Sequence, residues 1–152
     1  MPPPDLRTRA LGWLARREHS RHELQQKLCA QGGTPVEIEA LLDELTQSGW
    51  LSDARFAEAW VHARSRRYGG RRLAQELRAR GVDADTVRDA TAMTPEQELQ
   101  QARTVWAGKF GVVPQDAPAR ARQTRFMLAR GFSMATVRIL LQGGGEYGEE
   151  DS

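Results

Sequence analysis

Arginine is the residue type in this sequence that is best suited to bind a ligand. The densest run lies between residues 60 and 81, where Glu76 alone opposes the positive charge. Its members are Arg64, Arg66, Arg67, Arg71, Arg72, Arg78 and Arg80. A guanidinium presents a fork of N–H donors that matches phosphate and carboxylate oxygens, and clustered arginines are typical of surfaces that bind polyanions. The run therefore predicts a polyanion-binding site.

Arg71 and Arg72 stand where a cation is locally unfavourable. They follow Tyr68-Gly69-Gly70 at the predicted start of a helix, where the helix dipole favours anions. An anionic ligand at that helix start would explain them, because backbone N–H groups and guanidinium forks would then meet the same phosphate or carboxylate. Tyr68 lies between two arginine pairs, and we expect it to be the most exposed aromatic side chain.

A second basic cluster has no acidic residue between its members. It consists of Arg120, Arg122, Arg125 and Arg130. Both clusters have an alternative interpretation, in which they form a solvated basic face that pairs with acidic segments of the same chain. Those segments are residues 37–44 and 83–89. The sequence leaves both interpretations open.

The other residue types that carry chemistry do not form a recognisable site. His19, His22 and Cys29 have a spacing unsuited to zinc. The sequence contains no phosphate-binding loop, no dinucleotide fingerprint and no diagnostic Ser/His/Asp arrangement. We therefore predict no cofactor, no bound metal, no catalytic residue and no enzymatic activity.

Composition places the chain among ordinary globular proteins. It has 152 residues, 39% of them hydrophobic, with 22 basic and 20 acidic residues. No apolar stretch approaches the roughly 18 residues of a membrane span. The first residues lack the charged and apolar regions of a secretory signal. The single cysteine excludes an internal disulfide. We expect a cytoplasmic protein without membrane contact.

Helix signals are dense, whereas strand signals are nearly absent. Ser20, Thr34 and Thr94 each begin a capping box, in which a hydroxyl residue is followed three positions later by Glu or Gln. Asp83 and Ser133 are further N-cap candidates. The predicted helices are 6–18, 21–31, 35–48, 53–67, 71–80, 84–91, 95–109, 118–130 and 134–142. The fold class is therefore all-α.

The helices repeat along the chain. Gly32, Gly81 and Gly131 each follow a periodic apolar segment, at spacings of 49 and 50 residues, where a left-handed residue would end a helix. The pattern predicts a tandem array of three three-helix repeats, extended and curved. Its parts are 6–48, 52–92 and 94–142, with an inserted loop at 111–118 in the third repeat and a disordered acidic tail at 143–152.

Apolar residues at matched positions predict the core of each repeat. The first helices supply Trp13, Trp60 and Trp106, and the third helices supply Ile38, Val87 and Val137. We expect the tryptophans to be packed between helices rather than to stack on bases. Trp50 and Phe56 flank the junction between the first two repeats, where we expect them to pack as a hinge.

Three segments resemble the RecX family of bacterial recombination regulators. Residues 48–57, SGWLSDARFA, are similar to the family's most characteristic motif. Residues 68–81, YGGRRLAQELRARG, resemble its second-repeat helix, and residues 123–133, QTRFMLARGFS, resemble the counterpart in its third repeat. The resemblance covers roughly residues 8–142 with the repeat order intact.

This resemblance implies a function in homologous recombination, DNA repair and the SOS response. It implies a non-catalytic monomer that binds the RecA filament and mainly inhibits its recombinase and ATPase activity, with sequence-independent contacts to single- or double-stranded DNA. Two alternatives remain open: a nucleic-acid-binding protein that acts on DNA without the filament, and a pure protein–protein adaptor. Sequence-specific reading of the major groove is disfavoured, because the third helices of the first two repeats are acidic and would repel the phosphates.

Overall fold

The computed structural model describes residues 5–150 and contains helices but no strand within them. The helices are α1 (Leu6–Arg16), α2 (Arg21–Ala30), α3 (Pro35–Gln47), α4 (Asp53–Arg64), α5 (Gly70–Ala79), α6 (Ala84–Thr91), α7 (Pro95–Lys109), α8 (Ala117–Ala129) and α9 (Met134–Glu150). Each begins within one residue of its predicted start. The prediction of an all-α chain with three successive groups of three helices is confirmed.

The helices begin where side chains cap their free N–H groups. Ser20, Thr34 and Thr94 each form the complete capping box that the sequence predicts. Asp83 accepts from the backbone N–H of Thr86 at 2.7 Å, as an N-cap does. These contacts are made within one turn of the chain, which is why local sequence is enough to place helix starts.

The second helix of each repeat ends at a left-handed glycine. Gly32, Gly81 and Gly131 have φ angles of +88°, +82° and +100°, in the region that other residues rarely adopt. The backbone N–H of the next residue then reaches back into the last turn, as Val82 does to the carbonyl of Leu77. The predicted left-handed ends are confirmed.

The core consists of leucine-rich contacts between helices of the same repeat. In the first repeat, Leu24 and Leu28 of α2 pack against Leu42 and Leu45 of α3, and all four are fully buried. In the third repeat, Met127, Phe132 and Val137 lie in an equivalent cluster. The third-helix residues Ile38, Val87 and Val137 are also buried, as predicted.

The tryptophans are less deeply buried than the sequence predicts. Trp13 and Trp106 are only partly buried and pack at the margins of the two clusters. The indole N–H of Trp106 donates to Oε1 of Gln123 at 2.8 Å, so the polar edge of the ring is satisfied while its apolar face covers the core. Trp50 is 49% exposed, so its predicted packing role is wrong, whereas Phe56 is buried.

Two helix ends lie away from their predicted positions. Helix α4 ends at Arg64 rather than at residue 67, because the N–H groups of Arg67 and Tyr68 both turn back to the Arg64 carbonyl. Helix α9 extends to Glu150, whereas the sequence predicts its end at 142 and disorder from residue 143. A helix that is already nucleated gains one backbone hydrogen bond for each residue that it adds, although each glycine costs about 1 kcal/mol relative to alanine. Residues 151 and 152 of the predicted tail lie outside the described residues.

The chain packs as two compact units, each of which is described separately below. The first unit comprises the chain up to Trp60 together with Glu76–Ala90. The second unit comprises Val61–Gln75 together with the chain from Thr91 onward. Helices α4 and α5 therefore contribute residues to both units.

Candidate functional site

The two units carry charge of opposite sign. The first contains ten basic and thirteen acidic residues, and the second contains twelve basic and seven acidic residues. All five arginines of residues 61–75 belong to the second unit, and that stretch has no acidic residue. A polyanion would therefore be attracted to the second unit.

In the first unit, arginines pair with acidic residues of the same repeat. The Arg21 guanidinium lies 2.8 Å from carboxylate oxygens of both Glu39 and Asp43 on α3. Arg7 on α1 lies 2.7 Å from Glu44, also on α3. The acidic third helix of the first repeat is therefore paired with arginines of α1 and α2, which belong to neither basic cluster.

In the second unit, three arginines surround one tyrosine. The guanidinium carbons of Arg72, Arg64 and Arg130 lie 4.1, 4.6 and 5.0 Å from the centroid of the Tyr68 ring. Tyr68 is thus covered by cations and only partly exposed. It is not the open aromatic surface that the sequence predicts.

The same pattern continues on a second ring. Arg130 also lies 4.9 Å from the centroid of Phe126, and Lys109 Nζ lies 5.5 Å from that centroid on the same ring. The rings of Phe110 and Phe126 lie nearly perpendicular to each other, with their centroids 5.2 Å apart. Two aromatic rings thus contact four cations, and Arg130 links the two rings because it lies near both. We call this set the cation–aromatic strip; it comprises Arg64, Tyr68, Arg72, Lys109, Phe126 and Arg130.

The start of α5 is occupied by the end of α8 rather than open to a ligand. The backbone N–H of Gly69 donates to the Arg130 carbonyl at 2.6 Å, and that of Arg71 donates to the Gly131 carbonyl at 3.1 Å. Arg72 Nη1 also approaches the Ala129 carbonyl at 3.5 Å. The expectation that these N–H groups would bind an anion is therefore wrong. A cation is tolerated there because it also lies at the negative end of α8.

Glycine makes this close approach possible. A Cβ atom on Gly69 would lie 2.6 Å from the backbone oxygen of Gly131, and one on Gly131 would lie 2.6 Å from the backbone nitrogen of Arg72. The first unit has a related contact, in which the Ser20 hydroxyl donates to the Arg80 carbonyl at 2.8 Å. In both units, the start of one repeat's second helix therefore meets the end of the next repeat's second helix.

Gln101 fixes the turn that carries Tyr68. Its amide nitrogen donates to the carbonyls of Ser65 and Tyr68 at 2.7 and 2.8 Å. Its Oε1 atom is buried without a hydrogen-bond partner, which costs free energy. The two hydrogen bonds that its amide nitrogen donates therefore outweigh this cost. The turn is therefore tied to α7.

Glu98 ties α7 to the start of α9. Burial raises the pKa of Glu98, but hydrogen bonds from Thr136 and Ser133 and the charge of Arg71 outweigh this effect, so the pKa lies below its ordinary value. The Ser133 N–H and hydroxyl donate to Glu98 at 3.1 and 3.0 Å. The carboxylate thus remains charged at neutral pH.

The other predicted site residues fall into two groups. The exposed ones in the second unit are Arg66, Arg67, Arg71, Arg120, Arg122 and Arg125. Arg78 and Arg80 lie in the first unit, where Arg78 is exposed and Arg80 stacks 3.9 Å from the centroid of Trp60. The structure therefore groups Arg64, Tyr68, Arg72 and Arg130 at one place and assigns Arg80 to a different contact.

Sequence reasoning missed three residues of this region: Lys109, Phe126 and Gln101. A signal for Phe126 exists, because it precedes Arg130 by four residues and so shares its helix face. Lys109 and Gln101 join the region only through packing of α7, and no local pattern indicates this.

A buried histidine in the first unit has a lowered pKa. His19 is 1% exposed, its Nδ1 lies 3.1 Å from the Arg17 carbonyl, and its Nε2 lies 2.8 Å from Lys27 Nζ. Desolvation lowers the pKa of His19 below its ordinary value of 6.5; the bond to Arg17 opposes this, and the charges of Arg17 and Lys27 reinforce it. The ring is therefore neutral, with Nδ1 carrying the proton and Nε2 accepting from Lys27.

Among the side chains that the structure describes, no three of His, Cys, Asp or Glu are placed to hold a metal ion. In the same part of the chain, no helix combines the length and apolar character required to cross a membrane.

Comparisons with known proteins agree along the whole array. Family models match residues 7–45, 52–90 and 96–141, described as the first, second and third three-helix domains of RecX. Regulatory protein RecX of Ralstonia nicotianae is 48% identical over 141 residues, which cover 93% of this chain and 89% of that protein. The protein of the same name from Leptothrix cholodnii is 47% identical, with coverage of 93% and 90%.

A solved structure gives the same result for the fold. The crystal structure of RecX from Lactobacillus salivarius matches with a TM-score of 0.78 and 19% identity, covering 90% of this chain and 92% of that one. The helical order, the three matched domains and the similarity to these relatives lead to one conclusion: the chain belongs to the RecX family.

Proposed function

We propose that this protein is a non-catalytic regulator that binds a RecA–DNA filament and mainly inhibits its recombinase and ATPase activity. The relatives named regulatory protein RecX support a regulatory role. The single observation that carries the proposal is the concentration of cations in the second unit, which includes exposed arginines and the cation–aromatic strip.

The contacts are assigned to exposed arginines of the second unit. Arg66, Arg67, Arg120, Arg122 and Arg125 form no ion pair with any side chain that the structure describes. Their donors are therefore not committed to an internal carboxylate, in contrast to those of Arg21 in the first unit. Arg71 and Arg78 are exposed as well and complete the proposed surface.

The proposed mechanism is occlusion. A filament of protein wound on DNA presents phosphates and acidic side chains, to which a basic protein surface is attracted. A monomer bound in this way would block an incoming duplex or favour loss of filament subunits. This activity belongs in the cytoplasm and requires no cofactor.

The test measures the filament and the isolated protein side by side. Addition of this protein should suppress ATP hydrolysis and strand exchange by a RecA filament, while the protein alone should hydrolyse neither ATP nor DNA. Intrinsic ATPase or nuclease activity of the pure protein, or an unchanged filament, would contradict the proposal.

A second candidate function is binding to DNA without the filament. The arginines without internal ion pairs favour it, because they suit phosphates wherever these occur. The two functions separate with salt, since counterion release makes phosphate contacts steeply salt-dependent. Binding to the filament at a salt concentration that abolishes binding to bare single-stranded DNA would favour the filament regulator. Loss of both at the same salt concentration would favour the DNA binder.

A further inference from the structure

We propose that Lys27 is a modification site, at which an acyl phosphate acylates the side-chain amine. Lys27 lies on α2 in the first unit, belongs to neither basic cluster and takes no part in the proposed function. The choice of lysine at this position, the contacts of its Nζ atom and the charges around that atom support this role.

Lysine is rare in this chain. The sequence contains 20 arginines but only two lysines, Lys27 and Lys109. A guanidinium keeps its proton under all ordinary conditions, whereas an ammonium can lose its proton where the surroundings disfavour the charge. Lys27 is therefore one of two side chains in the sequence that can present a neutral amine to an electrophile.

The amine of Lys27 lies beside two rings and is bonded to a neutral partner. Its Nζ atom is 2.8 Å from Nε2 of the buried His19 and 5.2 Å from the centroid of the Trp13 ring. Lys27 is half-buried and forms no ion pair with any side chain that the structure describes. The neutral His19 ring accepts one N–H without compensating the positive charge. A neutral amine can donate the same bond and still keep its lone pair for an electrophile.

Burial and neighbouring cations both favour the neutral amine. Desolvation lowers the pKa of Lys27 below its ordinary value of 10.5, and the charges of Arg17 and Arg16 at the end of α1 reinforce this effect, whereas Glu23 on α2 opposes it. The Glu23 carboxylate is itself paired with Arg17 at 3.1 Å. A lysine that is desolvated and close to other cations is activated as a nucleophile.

The modification step is a nucleophilic acyl substitution. After the ammonium of Lys27 has lost one proton to water, the lone pair of Nζ attacks the acyl carbon and a C–N bond forms. The C–O bond to the phosphoryl group breaks, phosphate leaves with that electron pair, and a second proton passes from the nitrogen to water. The charges of Arg16 and Arg17 attract the anionic reagent to this place. The product is an uncharged amide, so the first unit becomes more acidic by one charge.

Lys109 is an internal control in the unaltered protein, because it is an exposed lysine that also lies beside an aromatic ring. The folded protein is treated with acetyl phosphate between pH 7 and pH 10, and mass spectrometry measures the acetylated fraction of each lysine. At pH 7.5, Lys27 should react at least about threefold faster than Lys109, because more of its amine is neutral. Its rate should also reach its maximum at a lower pH. Equal or slower reaction of Lys27, or two pH profiles that coincide, would overturn the proposal.

Two arginine variants test why Lys27 reacts. Arg17→Gln removes a cation that acts on Lys27, so the ratio of the Lys27 rate to the Lys109 rate at pH 7.5 should fall by at least about twofold. Arg7→Gln is the matched control, because Arg7 is also an exposed arginine paired with a glutamate, in its case Glu44. It should leave the ratio unchanged, and melting temperatures confirm that both variants are folded. The same ratio in the two variants would mean that neighbouring cations do not activate Lys27, which would overturn the proposal.

Discussion

Arginines of one sequence cluster have different roles at the scale of single residues. Arg72 and Arg130 are partly buried against aromatic rings and helix-end carbonyls. Arg66 and Arg67 are exposed. The first pair shapes the surface, and the second pair is available at the surface to meet a ligand. Alanine substitution of Arg66 should therefore leave folding intact and reduce the salt dependence of DNA binding by about one phosphate contact.

The Trp106 indole makes a testable contribution to stability. Trp106→Phe removes the N–H that bonds to Oε1 of the buried Gln123 at 2.8 Å. A buried acceptor without its donor costs about 1–3 kcal/mol. Urea unfolding should show this loss, whereas the control Trp50→Phe, at an exposed position, should change stability by less than about 0.5 kcal/mol. Equal effects of the two substitutions would contradict the assigned contact.

His19 should make the stability of the protein depend on pH near neutrality. Because the pKa of His19 is lowered in the folded state from 6.5, the unfolded chain binds the proton first as the pH falls. The contribution of the neutral His19 ring to stability is therefore fully present above about pH 6.5, and it is lost as the pH drops towards the pKa of His19 in the folded state. Melting temperatures between pH 7.5 and 5.5 should fall for the unaltered protein and stay flatter for His19→Gln.

The control for this measurement is His62→Gln, because His62 is exposed. It should reproduce the pH dependence of the unaltered protein. If His19→Gln retains the full decline, another group is responsible for it.

At the scale of elements, helix ends meet helix starts by direct backbone contact. The Gly69–Gly131 approach leaves no space for a side chain. Gly69→Ala should therefore destabilise the fold by about 1–3 kcal/mol, the usual range for overpacking. Gly70→Ala is the control, since its Cβ would meet only the Thr91 oxygen at 3.6 Å, an ordinary contact. Urea midpoints of the two variants measure the difference, and equal midpoints would exclude the close approach.

Helix starts and the repeat were predictable because their signals are local. The Ser20 capping box and the left-handed Gly81 each lie within a few residues of the contacts they make. The contacts at the start of α5 were not predictable, because the carbonyls of Arg130 and Gly131 arrive from the next repeat. The matched positions of the tryptophans in the repeats also do not predict how deeply each side chain is buried, as the partly buried Trp106 shows.

At the scale of the whole molecule, the distribution of charge should matter more than its sum. The variant Arg122→Glu with Arg125→Glu and the variant Arg9→Glu with Arg16→Glu change net charge equally. Arg122, Arg125 and Arg16 are exposed, and Arg9 is half-buried. The first pair lies in the basic second unit, whereas the second pair lies in the acidic first unit.

Only the first variant should weaken binding to single-stranded DNA, by at least tenfold or about 1.4 kcal/mol. Titrations at one salt concentration, with melting temperatures as a folding control, decide this. Equal weakening by the two variants would mean that net charge alone determines affinity.

The interleaved composition of the two units has a consequence for synthesis on the ribosome. Because the first unit includes Glu76–Ala90, it cannot be completed until residue 90 has emerged. Residues 61–75 emerge earlier, yet they belong to the unit whose other residues begin at Thr91. They can complete their unit only after the helices that follow Thr91 have been translated. Residues 61–75 carry five arginines and no acidic residue, so these stretches repel one another on neighbouring nascent chains, which opposes their aggregation.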